Sequence, residues 1–223
     1  MTTKRTLDYA YQGPKRGVAK VADRAVLLAH GAGADMHAAT LTTVTDALSA
    51  AGIPSLRFQY PYRSAGRKAP DRPPVLLDAT RTAIDELARR TKLDVDRLVI
   101  GGRSMGGRYC SMVAGDADDP VPCLGLLLLG YPLHAAGKPE RERSEHFPRL
   151  TMPVLFVSGT RDSLASKPAL IKAARKVKGP RTFHWIESGD HGFKPLKRSG
   201  LTVDGVLAEA AAAAVGWVTA LPD

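Results

Sequence analysis

Ser104 stands at the centre of a Gly-x-Ser-x-Gly pentapeptide, Gly102-Arg103-Ser104-Met105-Gly106, and other parts of the chain carry the residue types that would make a serine hydroxyl react. A serine hydroxyl is barely ionised at neutral pH, so acyl-transfer chemistry at Ser104 needs a base within hydrogen-bond reach. His191 offers an imidazole that can take the proton and return it to a leaving group. Asp162 offers a carboxylate that can fix the tautomer of that imidazole and stabilise its charged form. Asp190 is the rival acid, although the chain neighbour of His191 would ordinarily point away from the ring. The stretch His30-Gly31-Ala32-Gly33 offers backbone N–H groups of the kind that stabilise a developing oxyanion, which assigns Met105 N–H and Ala32 N–H to that task, with Gly33 N–H as the alternative. It is not a phosphate loop, because no Lys-Ser/Thr pair follows it.

These residues need elements that hold them. Leu98, Val99 and Ile100 read as a buried strand and Tyr109, Cys110, Met112, Val113 and Ala114 as a helix, so Ser104 falls on the strand–turn–helix that a nucleophile elbow requires. The serine of such a turn is backbone-strained, and Gly102 and Gly106 flank it where the chain passes too close to its neighbours for a Cβ. Further strands are expected over residues 4–12, 25–29, 53–60, 124–129, 154–158 and 182–186. Helices are expected at Leu41, Val44 and Leu48, over 75–91, 167–177 and 204–221. The polar loop 131–149 should contain a short charged helix-like piece, and 61–74 should be a proline-rich loop. Strands alternate with helices throughout, which predicts one α/β domain over residues 1–223 with a mostly parallel sheet covered on both faces. The active loops of such a sheet lie beyond the carboxyl ends of its strands, where Ala32, Ser104, Asp162 and His191 all fall.

At 223 residues, 44% hydrophobic and 24% charged, the chain can fill one core. Its longest apolar run, residues 123–130, is about half a bilayer span. The N-terminus has no secretory h-region, and cytoplasmic residence is the expectation. Cys110 and Cys123 fall in core elements outside any ligand-spaced cluster, so neither a disulfide, a metal nor a cofactor is expected. The net charge of +10 is scattered among acids without an aromatic-interleaved basic motif, which makes nucleic acid a weak candidate partner.

The order Ser104, Asp162, His191 is that of the α/β-hydrolase triad, and the chain resembles an α/β-hydrolase over nearly its whole length. Residues 30–36, 57–62, 102–107, 131–134 and 159–162 resemble more narrowly a small, capless, dienelactone-hydrolase-like group related to a subunit of the non-specific-lethal chromatin complex. The resemblance implies the fold and the triad, and no particular substrate, since the fold hosts many chemistries. It leaves two functions: a serine hydrolase acting on a small ester, lactone or thioester, or an interaction module that keeps the fold without the chemistry. Loop 131–149 is too short for a helical cap, so the pocket should be open. Its expected walls are Asp35, Met36, Tyr60, Tyr62, Arg103, Met105, Leu133, His134 and Phe193, with Met105 and Phe193 also readable as core. Arg103 could line the pocket or tie down a neighbouring loop. Arg63, Arg67, Lys68, Arg72, Lys194, Lys197 and Arg198 fall on the active side, which suggests either a rim that attracts anionic substrates or merely solvated charge.

Overall fold

The computed structural model describes residues 7–21 and 23–222. Strands β2 (Ala25–Ala29), β3 (Ser55–Phe58), β4 (Leu98–Arg103), β5 (Gly125–Leu129), β6 (Val154–Gly159) and β7 (Arg181–Ile186) are parallel, and β1 (Tyr9–Gln12) pairs antiparallel with β3 at one edge. The order across the sheet is β1-β3-β2-β4-β5-β6-β7. Side chains alternate between the faces of a strand, and in β2 both sets are buried: Leu27 and Ala29 on one side, Val26 and Leu28 on the other. An unbroken apolar run is what a strand covered on both faces needs.

The covering helices follow from amphipathic spacing. On one face α3 (Pro73–Thr91), α4 (Met105–Ala114) and α5 (Lys167–Ala174) bury Ile84 and Leu87, Tyr109 and Val113, and Leu170. On the other, α1 (Ala39–Ala50) and α6 (Val203–Thr219) bury Leu41, Val44 and Leu48, and Val206, Ala210 and Val218. The expected α/β architecture, mostly parallel with both faces covered, is the one observed. Among the described residues no helix is long and apolar enough to cross a membrane, and no three His, Cys, Asp or Glu side chains cluster as metal ligands would. Cys110 and Cys123 are free thiols in the core.

The departures from expectation have local causes. Residues 4–6 of the first expected strand lie outside the described residues, and pairing begins at Tyr9. The 61–74 loop starts with a one-turn helix, α2 (Pro61–Ser64), and α3 begins two residues early at Pro73, where the fixed φ of proline suits a first helical turn. The charged helix-like piece expected within 131–149 does not form. The segment instead holds turns, an isolated bridge between Ala135 and Lys138, and a 3-10 turn at Phe147–Arg149. Gly137 and Pro139 interrupt it, and isolated ion pairs cannot offset the cost of nucleating so short a helix. Glu142 instead accepts from Lys176 Nζ at 2.5 Å, which ties the segment to the chain after α5.

This segment is held from beneath. His146 is buried, 5% exposed, with Nε2 2.8 Å from Ser111 Oγ on α4. Burial, reinforced by Arg108 and Arg149, lowers its pKa from 6.5 to about 4. Between those values the unfolded chain binds a proton that the folded chain excludes, so stability falls as pH falls through that window, by about 3 kcal/mol in all. Urea unfolding of wild type and His146→Gln at neutral pH and near pH 4.5 should show the smaller acid-induced loss in the variant. Equal losses would mean that His146 does not carry the effect.

A second prediction concerns the junction of β4 and α4. A Cβ on Gly106 would lie 2.3 Å from the Ala29 carbonyl oxygen and 2.7 Å from Ala29 Cβ, a clash between two core elements. Gly106→Ala should destabilise by about 2 kcal/mol or more. Gly216 in α6 has open space around its Cβ position, and Gly216→Ala should stabilise by up to about 1 kcal/mol through helix propensity. Denaturant midpoints at equal m-value check both.

Candidate active site

The chain turns sharply between β4 and α4, and Ser104 occupies the turn at φ 51° and ψ −113°. Positive φ in a residue with a Cβ is a strained state that the surroundings must enforce. Ser104 N–H donates to Leu129 O at 3.0 Å, and Ser104 O accepts from Arg108 N–H at 3.0 Å. Gly102, at φ 154°, passes so close to β2 that a Cβ would sit 2.2 Å from Ala29 O. The same closeness brings the chain beyond β2 onto the turn: a Cβ on Gly31 would lie 3.6 Å from Ser104 Cβ.

Three side chains from the ends of β4, β6 and β7 meet here. Ser104 Oγ is 2.8 Å from His191 Nε2, and His191 Nδ1 is 3.0 and 2.9 Å from the two carboxylate oxygens of Asp162. The Asp162 side chain is fully buried, and Leu164 N–H donates to its Oδ1 at 2.8 Å. A carboxylate only accepts, so the proton of a neutral ring sits on Nδ1 and leaves Nε2 free to accept from the Ser104 hydroxyl. Asp190 plays a different part. Its Oδ1 accepts from Gly192 N–H at 2.7 Å and Lys194 N–H at 2.9 Å, which folds the loop that carries His191.

Beside Ser104 lie two backbone amides, Ala32 N–H and Met105 N–H, that make no hydrogen bond among the described residues. The orientation of the first follows from its neighbour. Gly31 O is bonded to His30 Nδ1 at 2.8 Å and accepts from Ala34 N–H at 3.2 Å, and in a planar trans peptide the Ala32 N–H must point the opposite way. His30 is wholly buried and receives the Tyr60 N–H on Nε2 at 3.1 Å, so its ring is neutral with the proton on Nδ1. Burial also lowers its pKa. Gly33 N–H is likewise unengaged, but only Ala32 of the two lines the cleft beside Ser104.

That cleft has a volume of about 360 Å³ and opens between α3, α4 and the 131–149 segment. Ala32, Ser104, Met105 and His134 line it as expected; Leu76, Tyr109, Pro132 and Leu164 add apolar wall; and Asp71, Arg108 and Arg143 add charge. Seven expected wall residues, Arg103 among them, lie elsewhere. Phe193 is fully buried in the core with α1 and α6. Tyr62 is buried too, and its hydroxyl donates to Ala32 O at 2.7 Å. Tyr60 and Leu133 are likewise core residues. Asp35 and Met36 brace the loop after β2: Asp35 Oδ1 accepts from His37 N–H at 2.8 Å, and Met36 lies between Gln59 Oε1 and Arg57, each 3.0 Å away. The Asp35 carboxylate and the Met36 backbone are thus engaged within and beneath that loop.

Arg103 resolves in favour of the tie. Its guanidinium donates to the carbonyls of His191, Leu129 (3.3 Å) and Gly130 (3.4 Å) and lies 5.1 Å over the Phe193 ring. Burial lowers its pKa to about 10, which leaves it charged at neutral pH. The sequence reading passed over Arg108 and Arg143. Arg108 could have been found, since four residues after Ser104 on a helix means the same face one turn on. Arg143 sits in an irregular segment whose path no sequence pattern announces.

The fold recurs in solved structures. An α/β serine hydrolase homologue from Coxiella burnetii is 17% identical, with 97% of each chain covered and a TM-score of 0.72. A serine hydrolase without lid from Xanthomonas campestris is 22% identical over 97% of this chain and 91% of that one, with a TM-score of 0.68. A dienelactone hydrolase from Anabaena variabilis is 17% identical over 100% and 95%, with a TM-score of 0.71. At these identities they establish a shared fold. Residues 22–219, nearly the whole chain, match the model of the alpha/beta hydrolase domain, and the protein therefore belongs to the α/β-hydrolase family.

Proposed function

We propose that this α/β-hydrolase is a serine hydrolase that cleaves a small ester, lactone or thioester through an acyl-enzyme. The observation that carries the reading is the unbroken hydrogen-bonded line from Ser104 Oγ through His191 to a buried Asp162, at 2.8 and 2.9 Å, built on a strained turn. In the proposed cycle Ser104 Oγ attacks the carbonyl carbon while its proton passes to His191 Nε2, and Asp162 stabilises the resulting imidazolium. The oxyanion takes hydrogen bonds from Met105 N–H and Ala32 N–H. Collapse breaks the bond to the alkoxide or thiolate, which leaves with the proton from His191. Water then attacks the acyl-serine with His191 again as base, and a second collapse frees the acid and restores Ser104. A cleft of about 360 Å³ without a cap suits short acyl groups, and the Coxiella serine hydrolase homologue and the Anabaena dienelactone hydrolase belong to the same chemical class.

A fluorophosphonate probe should label Ser104, and Ser104→Ala should abolish the label. Asp162→Asn should lower kcat by about 10³- to 10⁴-fold because the imidazole loses its tautomer-fixing acceptor. Asp190→Asn should have a far smaller effect. Well-folded wild type that takes no label would point instead to a catalytically silent module.

Arg103 enters this mechanism as a positioning residue. It holds the His191 backbone carbonyl without lining the cleft, so its loss should let the imidazole drift while leaving the cleft walls in place. Arg103→Gln should lower kcat by about 10- to 100-fold with KM little changed, the penalty of a misplaced catalytic group. Arg103→Lys, which keeps the charge and one donor, should recover part of it. A change confined to KM would place Arg103 in substrate binding instead.

A further inference from the structure

We propose that Arg108 and Arg143 form a docking site for a carboxylate carried by the substrate, so that the preferred ester bears a negative charge a few bonds from its scissile carbonyl. The inference rests on the hydrolase reading above and names its substrate class.

The partners of the arginines set these two apart. Arg63, Arg67, Arg81, Arg89, Arg90 and Arg97 each face a carboxylate within 4 Å. Arg57, Arg103, Arg149, Arg161 and Arg181 spend their donors on backbone carbonyls. Among the described residues Arg16, Arg72, Arg108, Arg141, Arg143, Arg175 and Arg198 have side chains that do neither, and all of these except Arg108 and Arg143 are exposed to solvent. The two exceptions are half-buried, and both line the cleft that contains Ser104. Arg108 Nε is buried with no hydrogen-bond partner. The positive charge of Arg108 adds to burial in lowering the pKa of Arg143. Glu145 opposes that effect only from a distance, since no carboxylate among the described residues forms an ion pair with either arginine. Two like charges half withdrawn from water without a direct ion pair are unfavourable unless something negative joins them.

The pair is also built to stay in place. Arg108 belongs to the first turn of α4, its N–H bonded to Ser104 O at 3.0 Å. Arg143 N–H donates to Leu133 O at 2.7 Å, and the buried Tyr131 hydroxyl donates to Arg143 O. The remaining polar wall is accounted for: Asp71 Oδ1 is held by Arg67 at 2.6 Å, and His134 Nδ1 by Ala135 O at 2.9 Å. Asp71 Oδ2 is a buried acceptor that repels a carboxylate, which leaves the arginine side as the place for one. Four residues along a helix are about 6 Å, so a carboxylate some three to five bonds from the scissile carbon spans the gap. Guanidinium suits this ligand because its planar fork matches carboxylate geometry.

The test compares monomethyl glutarate and 4-acetoxybutanoate, which place the carboxylate on the acyl and the alcohol side, with neutral methyl 5-methylhexanoate. At low salt, kcat/KM for at least one anionic ester should exceed that of the neutral ester by about tenfold or more, the worth of one charge-assisted hydrogen bond. Arg143→Gln and Arg108→Gln should each shrink that ratio by about tenfold or more, and added salt should shrink it in wild type. A ratio near one in wild type, or one that survives both substitutions, overturns the inference. A readout independent of turnover is calorimetry of glutarate with Ser104→Ala, which should bind at millimolar concentration and lose binding when Arg143→Gln is added. No binding by Ser104→Ala overturns the site whatever the esterase assays show. Failure of Ser104 to take the fluorophosphonate label overturns the hydrolase reading and leaves the glutarate result to decide the anion site.

Discussion

The structure depends on how closely β4 and α4 approach the end of β2. Ala29 is the point of contact: a Cβ at Gly102 would sit 2.2 Å from its carbonyl oxygen, and one at Gly106 2.3 Å. The segments pass so closely there that only residues without a Cβ fit, and this closeness does two things at once. It forces the chain at Ser104 into a conformation it would not choose, and it brings the residues just after Ala29 up against the same turn. An amide from residues 30–33 can therefore reach the space above Ser104 although more than seventy residues of chain separate them.

Closeness alone does not orient a peptide, and here buried polar groups do that work. His30 and Ala34 hold Gly31 O, Tyr62 holds Ala32 O, and Arg103 holds the carbonyl of His191. Each is a donor aimed at a backbone carbonyl: the bonds to Gly31 O turn the Ala32 N–H the other way, and those to Ala32 O and His191 O hold in place the loops that carry Ala32 and His191. Burying such groups is unfavourable unless they are bonded, and each of these is. The desolvated guanidinium of Arg103 is the extreme case, since burial weakens its hold on the proton yet leaves it charged at neutral pH. The site is thus backed by a layer of polar side chains that never meet a substrate.

This layer is also where the sequence was hardest to read. The strands were legible because runs such as Ala25–Ala29 are apolar on every residue, and Ser104, Asp162 and His191 stood out because each follows a strand end in a glycine-rich or acidic turn. Tyr62, Arg103 and Phe193 were expected in the cleft because they too follow strand ends. Whether a residue just past a strand turns inward or outward is decided by the next turn of chain. A one-turn helix rotates Tyr62 beneath Ala32, and a positive φ of 64° turns Phe193 into the core. Neither event has a sequence signature beyond the residues themselves, since aromatics serve equally as walls and as core.

Charge tells the same story in another currency. A net charge of +10 invites a search for the cation-rich loop, and the loop after β3 has Arg63, Arg67, Lys68 and Arg72 in close succession. The folded chain answers Arg63 with Asp35 and Arg67 with Asp71, so that loop carries much less free charge than its sequence suggests. What matters to a ligand is not how many cations a segment holds but which remain unanswered where water is scarce. A carboxylate in open solvent gains little from an exposed lysine, because water and salt screen the attraction. Beside a half-buried guanidinium whose Nε already lacks a partner, it replaces solvation that the protein has already given up. Pairing and burial, neither of which a count of residues can supply, are what separate Arg108 and Arg143 from the other cations among the described residues.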